Sequence, residues 1–114
     1  MSISYNFGQE AEKRAADYYR NLGFHILQKN YRYRKAEVDL IVQKEDLLVA
    51  VEVKARSSAY FGDPQSFVSK KKIQLLVMAI DAYIQQRNLD VEVRFDIISY
   101  VLERGEWKLE HLPN

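Results

Sequence analysis

Residues 37 to 54 read EVDLIVQKEDLLVAVEVK, two apolar runs rich in β-branched residues on either side of the polar step Lys44-Glu45-Asp46. Such runs joined by so short a polar link predict a β-hairpin, with strands over Glu37 to Gln43 and Leu48 to Lys54. Centring the turn between Glu45 and Asp46 sets Lys44 opposite Leu47, and antiparallel alternation then fixes every other pair. One face carries Val38 with Val53, Leu40 with Val51 and Val42 with Val49, and is expected to join the core. The other carries Glu37 with Lys54, Asp39 with Glu52, Ile41 with Ala50 and Gln43 with Leu48, so four charged side chains gather at one end.

Two carboxylates directly opposite on neighbouring strands repel, at a cost on the order of 0.2 to 1 kcal/mol even in water. A divalent cation between Asp39 and Glu52 removes that repulsion, and an all-oxygen donor set suits magnesium or manganese rather than zinc. Lys54, two residues beyond Glu52 on the same side, is placed to orient an attacking water and to stabilise charge on a phosphate. A solvated outer face with an ordinary Glu37–Lys54 ion pair is the alternative reading of these residues. Against it, Ile41, Leu48 and Ala50 share that face, which implies partial cover by a helix, and covered carboxylates need a reason to be there.

Working outward, QEAEKRAADYYRNL at 9 to 22 holds helix formers with an apolar stripe of Ala11, Ala15, Tyr18, Tyr19 and Leu22, ended by Gly23. Phe24 to Tyr33 has strand character, with Asn30 marking a bend. After the hairpin, Ala55 to Asp63 reads as a loop. Asp63-Pro64 and Ser69 are rival caps for a second helix, in which Ile73, Leu76, Val77, Ile80 and Ile84 recur at helical spacing. RFDIISYV at 94 to 101 and Trp107 to Leu109 predict the last strands.

The 114 residues suit a single domain, and 47% apolar composition is enough to close one core. A net charge of +1 gives no bulk attraction to a polyanion, so any nucleic-acid contact must be local. The absence of cysteine excludes disulfides, thiolate metal sites and cysteine nucleophiles. Neither a signal peptide nor a run of roughly 20 apolar residues is present, so the expectation is a cytoplasmic protein with no membrane association. Cations available to phosphates are Arg32, Arg34, Lys35, Arg56 and the run Lys70, Lys71, Lys72, whose place in a helical first turn opposes the helix dipole. Tyr31, Tyr33 and Tyr60 are read mainly as packing residues, with base stacking as their other use. Gln74 is a candidate support for the site from helix two. His25 and His111 have no partner at metal-ligand spacing and receive no role.

The order acid, hairpin, Glu52-Val53-Lys54 resembles the active-site signature of the PD-(D/E)XK nucleases. A longer resemblance, over roughly residues 8 to 100, is to the YraN family of small bacterial proteins. It rests on AEKRAADYYRNLGFHIL, NYR, EVDLI, VEVKAR, FGDP, the lysine run and RFDII in that order. The chain departs from the family at Ala11 and Ala36, where the family usually has glycine, which touches backbone detail and leaves both neighbouring acids in place. The resemblance implies one restriction-endonuclease-like domain over 1 to 114, with an αβββαβ core and a mixed central sheet flanked by helices, similar to archaeal Holliday junction resolvases. It further implies Glu12 as a member of the metal site and a two-fold homodimer.

The expected activity is magnesium- or manganese-dependent hydrolysis of DNA phosphodiesters, branched or junction DNA included. Asp39 and Glu52 hold the ion, the Val53 carbonyl adds a ligand, Lys54 assists the water, and Glu12 completes the cluster. The rival expectation is a catalytically weak DNA-binding module of a repair, recombination or uptake complex. A protein-interaction domain with no nucleic-acid role is a third.

Overall fold

Helix α1 (Ile3–Asn21) begins six residues earlier than the sequence pattern suggested and ends as expected at Gly23, whose φ of +94° suits glycine. Phe24 N donates back to the Tyr19 carbonyl, and the Lys44 ammonium caps the Leu22 carbonyl at 2.9 Å. The computed structural model describes residues 3–56 and 69–113, giving only the backbone at 3–7, 56 and 113. The expected loop of Ala55 to Asp63 begins later than forecast, since its first two residues continue the third strand to Arg56; the rest of it, the Asp63-Pro64 cap, the FGDP stretch and Tyr60 fall outside the described residues.

Strands β1 (His25–Tyr33), β2 (Ala36–Lys44) and β3 (Leu47–Arg56) form an antiparallel meander. Helix α2 (Lys70–Arg87) then crosses over, so that β4 (Glu92–Glu103) lies parallel to β3, and β5 (Glu106–Pro113) returns antiparallel along the edge. The result is a five-stranded mixed sheet in the order β1-β2-β3-β4-β5 with a helix layer on each face. Its element order contains the expected αβββαβ succession.

The sheet buries both faces. Toward α1, Leu40, Val42, Val49, Val51, Ile98 and Tyr100 pack on Ala11, Ala15, Ala16 and Tyr19; toward α2, Val38, Ile41, Leu48 and Ala50 pack on Leu76, Ala79, Ile80 and Tyr83. Each large apolar side chain so buried contributes roughly 1.5 to 3 kcal/mol. The helical cover inferred from Ile41, Leu48 and Ala50 is thus α2. Its buried stripe differs from the expected one: Ile73 and Val77 are exposed, and Ala79 and Tyr83 take their place. Ser69 is the cap of this helix, its hydroxyl accepting from Lys72 N at 3.1 Å, and Asn88 closes the other end in the left-handed conformation.

The hairpin register holds from Lys44↔Leu47 to Leu40↔Val51 and then stops. The expected pairs Val38 with Val53, Asp39 with Glu52 and Glu37 with Lys54 are absent from the ladder. At the same level in β1, Asn30 sits at φ +51° and the pairing of β1 with β2 skips Asn30 and Asp39 without changing register, the one register shift of this pair lying between Ile26 and Gln28. Asparagine tolerates this conformation better than most residues. The kink breaks strict alternation at Asp39, turning Val38 toward α2 while Leu40 faces α1.

Candidate functional site

Where the ladder stops, a side chain takes over from the backbone. Asp39 Oδ2 accepts the Val53 N–H at 2.7 Å, so β2 is held to β3 through a carboxylate. Asp39 and Glu52 therefore do come together, by a different geometry from the direct opposition expected. Burial pushes the Asp39 carboxyl up, the Glu52 charge pushes further, and the Val53 N–H only partly opposes them, leaving it at about 7. Glu12 on α1 belongs to the same field: burial raises it first, then the charge of Glu37, with a lesser push from Glu52 against a hydrogen bond from Asn30.

Glu52 is 8% exposed, near the middle of the sheet. Its Oε1 takes two ammonium groups, Lys72 at 3.0 Å and Lys54 at 3.7 Å. Its Oε2 is buried and accepts from no N–H or ammonium among the described residues, and the neighbouring Asp39 carboxyl can hydrogen-bond to Glu52 only while it keeps its proton. A buried carboxylate oxygen with no donor is costly, because the desolvation of a charged acceptor goes uncompensated. Burial lowers Lys72, but its hydrogen bond to Glu52 and that residue's charge outweigh burial and hold it above the ordinary lysine value.

Asp39, Glu52 and Lys72 line an open cavity of about 390 Å³ between the start of β2 and the first turn of α2. Asp39, Glu37 and Glu52 supply carboxylates to it, and Lys35, Lys71 and Lys72 supply cations. One wall thus suits a cation and the other an anion. The chemistry of the donors is that of a hard, oxygen-liganded ion: the Asp39 and Glu52 carboxylates are close enough to perturb one another, and the chain has no thiolate. Among the described residues no three Asp, Glu or His side chains are arranged to hold a metal by themselves. Water, backbone or phosphate oxygen must therefore complete the coordination of any ion there.

The remaining cations divide. Arg32 is exposed and pairs with Glu37 at 3.1 Å, which replaces the expected Glu37–Lys54 pair. Arg34 lies over the Tyr33 ring and Lys70 is exposed at the start of α2. The Arg56 side chain lies outside the described residues. Tyr31 packs edge-on against Tyr83, and Tyr33 packs against the α2 cluster, as packing residues do. Gln74 is exposed and does not line the cavity, so its supporting role is not borne out.

A second polar cluster, on the α1 face, had no forecast. Asp96 Oδ2 accepts from Tyr19 Oη and His111 Nε2, each at 2.7 Å, and Arg94 donates to both carboxylate oxygens at 2.8 and 2.9 Å. With Nε2–H donating, His111 Nδ1 accepts the Tyr18 hydroxyl at 2.8 Å. Burial alone would raise Asp96, but the Arg94, Tyr19 and His111 hydrogen bonds prevail and hold it below the ordinary carboxylate value. The available signal was parity: Asp96 shares its side of the strand with Ile98 and Tyr100, an apolar face on which a lone carboxylate would be untenable.

Fold and cavity together define a small α/β domain with a two-sided, acid-and-lysine pocket at the splayed end of its central hairpin. The profile of the uncharacterised protein family UPF0102 matches residues 11–100, and the chain belongs to that family, the one its YraN-like motifs indicate. A UPF0102 protein of Flavobacterium psychrophilum is 48% identical over 114 residues, covering 100% of this chain and 96% of its own length. Another, of Phocaeicola vulgatus, is 37% identical over 112 residues, covering 98% and 93%. One from Syntrophomonas wolfei is 38% identical over 108 residues, covering 94% of each chain. No helix of the described residues is long and apolar enough to cross a membrane.

Proposed function

We propose that the chain is a magnesium- or manganese-dependent nuclease of the restriction-endonuclease-like class, hydrolysing phosphodiester bonds in DNA. The observation that carries this reading is the buried Glu52 carboxylate, one oxygen of which takes no N–H or ammonium among the described residues, beside an Asp39 carboxyl raised to about 7 and two lysines. Carboxylates perturbed by burial and by a charged neighbour in a cleft are the pattern by which functional sites are recognised.

Asp39 and Glu52 are the residues assigned to hold the ion, with the Val53 carbonyl as a backbone ligand and Glu12 as the outer member of the cluster. A bound ion would polarise the phosphate and offset the charge between the two carboxylates. Lys54, within 3.7 Å of Glu52, is assigned to orient the attacking water and to neutralise charge building on the phosphate. Lys71 at the N-terminus of α2 and Lys35 in the turn before β2, both lining the cavity, receive the phosphodiester backbone.

A catalytically weak DNA-binding module is the second reading. It is favoured by the absence, among the described residues, of a preformed three-residue ligand set and by the lysine already seated on Glu52. The two separate in a cleavage assay on linear, single-stranded and four-way-junction DNA with magnesium or manganese. A nuclease cuts at least one substrate with metal and loses this in Asp39→Ala and in Lys54→Ala. A binder retains its affinity in EDTA and in Lys54→Ala and cuts nothing.

A further inference from the structure

We infer that Lys72 is a tethered stand-in for the metal: its ammonium neutralises Glu52 until a divalent cation displaces it, and so sets the metal concentration at which the site forms. The inference rests on the proposed metal site and adds a regulatory element to it.

The position of Lys72 is costly unless it has such a task. It lies in the first turn of α2, where the N–H groups and helix dipole disfavour a positive charge. Ser69 fixes that turn by accepting from Lys72 N at 3.1 Å, while the side chain bridges the cavity to Glu52 Oε1 at 3.0 Å. Lys71, one residue earlier, lines the same cavity but forms no ion pair with Glu52 among the described residues. Glu52 Oε1 is thus shared by two ammonium groups while Oε2 has none.

A divalent ion bound by Asp39 and Glu52 meets this arrangement as a competitor. An ammonium and a divalent cation on one carboxylate repel strongly where water is partly excluded. Lys72 must therefore withdraw as the metal enters, and its tether on α2 leaves it beside Lys71 at the same cavity. Metal entry and readiness for phosphate are then a single event. Lys54 lies farther from Glu52, at 3.7 Å, and is not required to leave.

Calorimetric titration of manganese into the metal-free chain, Lys72→Met and Lys71→Met tests this without any activity measurement. Lys72→Met is expected to bind manganese about tenfold more tightly than the native chain, in the usual range for coupled binding events. Lys71→Met, which removes the same charge from the same cavity without the contact, is expected to change affinity by less than about twofold, because it acts only through screened, longer-range charge. Metal-free Lys72→Met should also melt lower than the native chain and gain more in Tm on adding manganese. If metal-free Lys72→Met does not fold, Lys72→Gln takes its place in both measurements. Native binding with equal or weaker affinity in Lys72→Met, or an equal gain in Lys71→Met, overturns the inference and leaves the metal site standing. No manganese binding by either native chain or variant overturns the metal site, and the inference with it.

Discussion

Asp96 and Glu52 are both buried carboxylates near the centre of one sheet, yet they are treated in opposite ways. Asp96, on the α1 face, is 2% exposed, and Arg94, Tyr19 and His111 satisfy its two oxygens and hold it ionised. Glu52, on the α2 face, is 8% exposed, shares one oxygen between two lysines and leaves the other without a partner, with a second carboxyl beside it. Burial of a charge therefore does not by itself indicate function. What separates the two is the completeness of the hydrogen bonding: the closed network ties β5 to α1, and the open one is where the proposed function places a ligand.

The largest expected difference between the two follows from deleting each. Asp96→Ala leaves Arg94, His111 and Tyr19 facing a buried void, and should cost about 3 to 5 kcal/mol, read as a shift in the urea midpoint. Glu52→Gln removes one member of a repelling pair while keeping its shape, and in EDTA should cost less than about 1 kcal/mol, since the Asp39 repulsion it relieves offsets the Lys72 pair it weakens. Equal losses from the two would break the comparison.

Next in size is a pH effect confined to the open cluster. Folded Asp39 holds its proton more tightly than the unfolded chain does, so its stabilisation is full below the ordinary value of 3.8 and is lost as pH rises through about 7. Without metal, stability should fall over this window by on the order of 2 kcal/mol, a figure that discounts the full shift for solvent screening. Asp39→Asn should flatten the profile of chemical denaturation midpoints against pH. A native profile that rises across the same window would contradict the burial and charge argument.

Smaller effects sharpen the picture. Tyr19→Phe removes one of several bonds to Asp96 and should cost about 1 kcal/mol, seen in the thermal midpoint. Ser69→Ala should cost about 1 kcal/mol through its lost cap and should tighten manganese binding by less than about threefold, because Lys72 competes for Glu52 from a looser first turn but keeps its reach.

The sequence made one half of this comparison readable. Alternation in EVDLIVQ and LVAVEVK places Glu52 and Lys54 on one side of β3, and the turn centre gives the pairing from Lys44 to Leu40. Alternation could not reveal the break at Asp39, because that depends on a left-handed Asn30 in the neighbouring strand. Asn30 was readable as a bend but not as the end of a ladder two strands away. The Lys72 contact was hidden for a related reason: the lysine run reads as phosphate-binding or solvated until α2 is laid over the cavity. The Asp96 cluster joins residues 77 and 15 positions apart, which no local pattern connects. Helical spacing likewise finds α2 but not which side meets the sheet, and so Ile73 and Val77 were credited with burial that Ala79 and Tyr83 have.

The most direct test of the open cluster as a metal site is anomalous diffraction at the manganese edge from crystals of the native chain grown with that ion. The account predicts a peak bonded to both Asp39 and Glu52, with Lys72 withdrawn from Glu52. A site left without anomalous density at saturating manganese, with Lys72 still on Glu52, would contradict it.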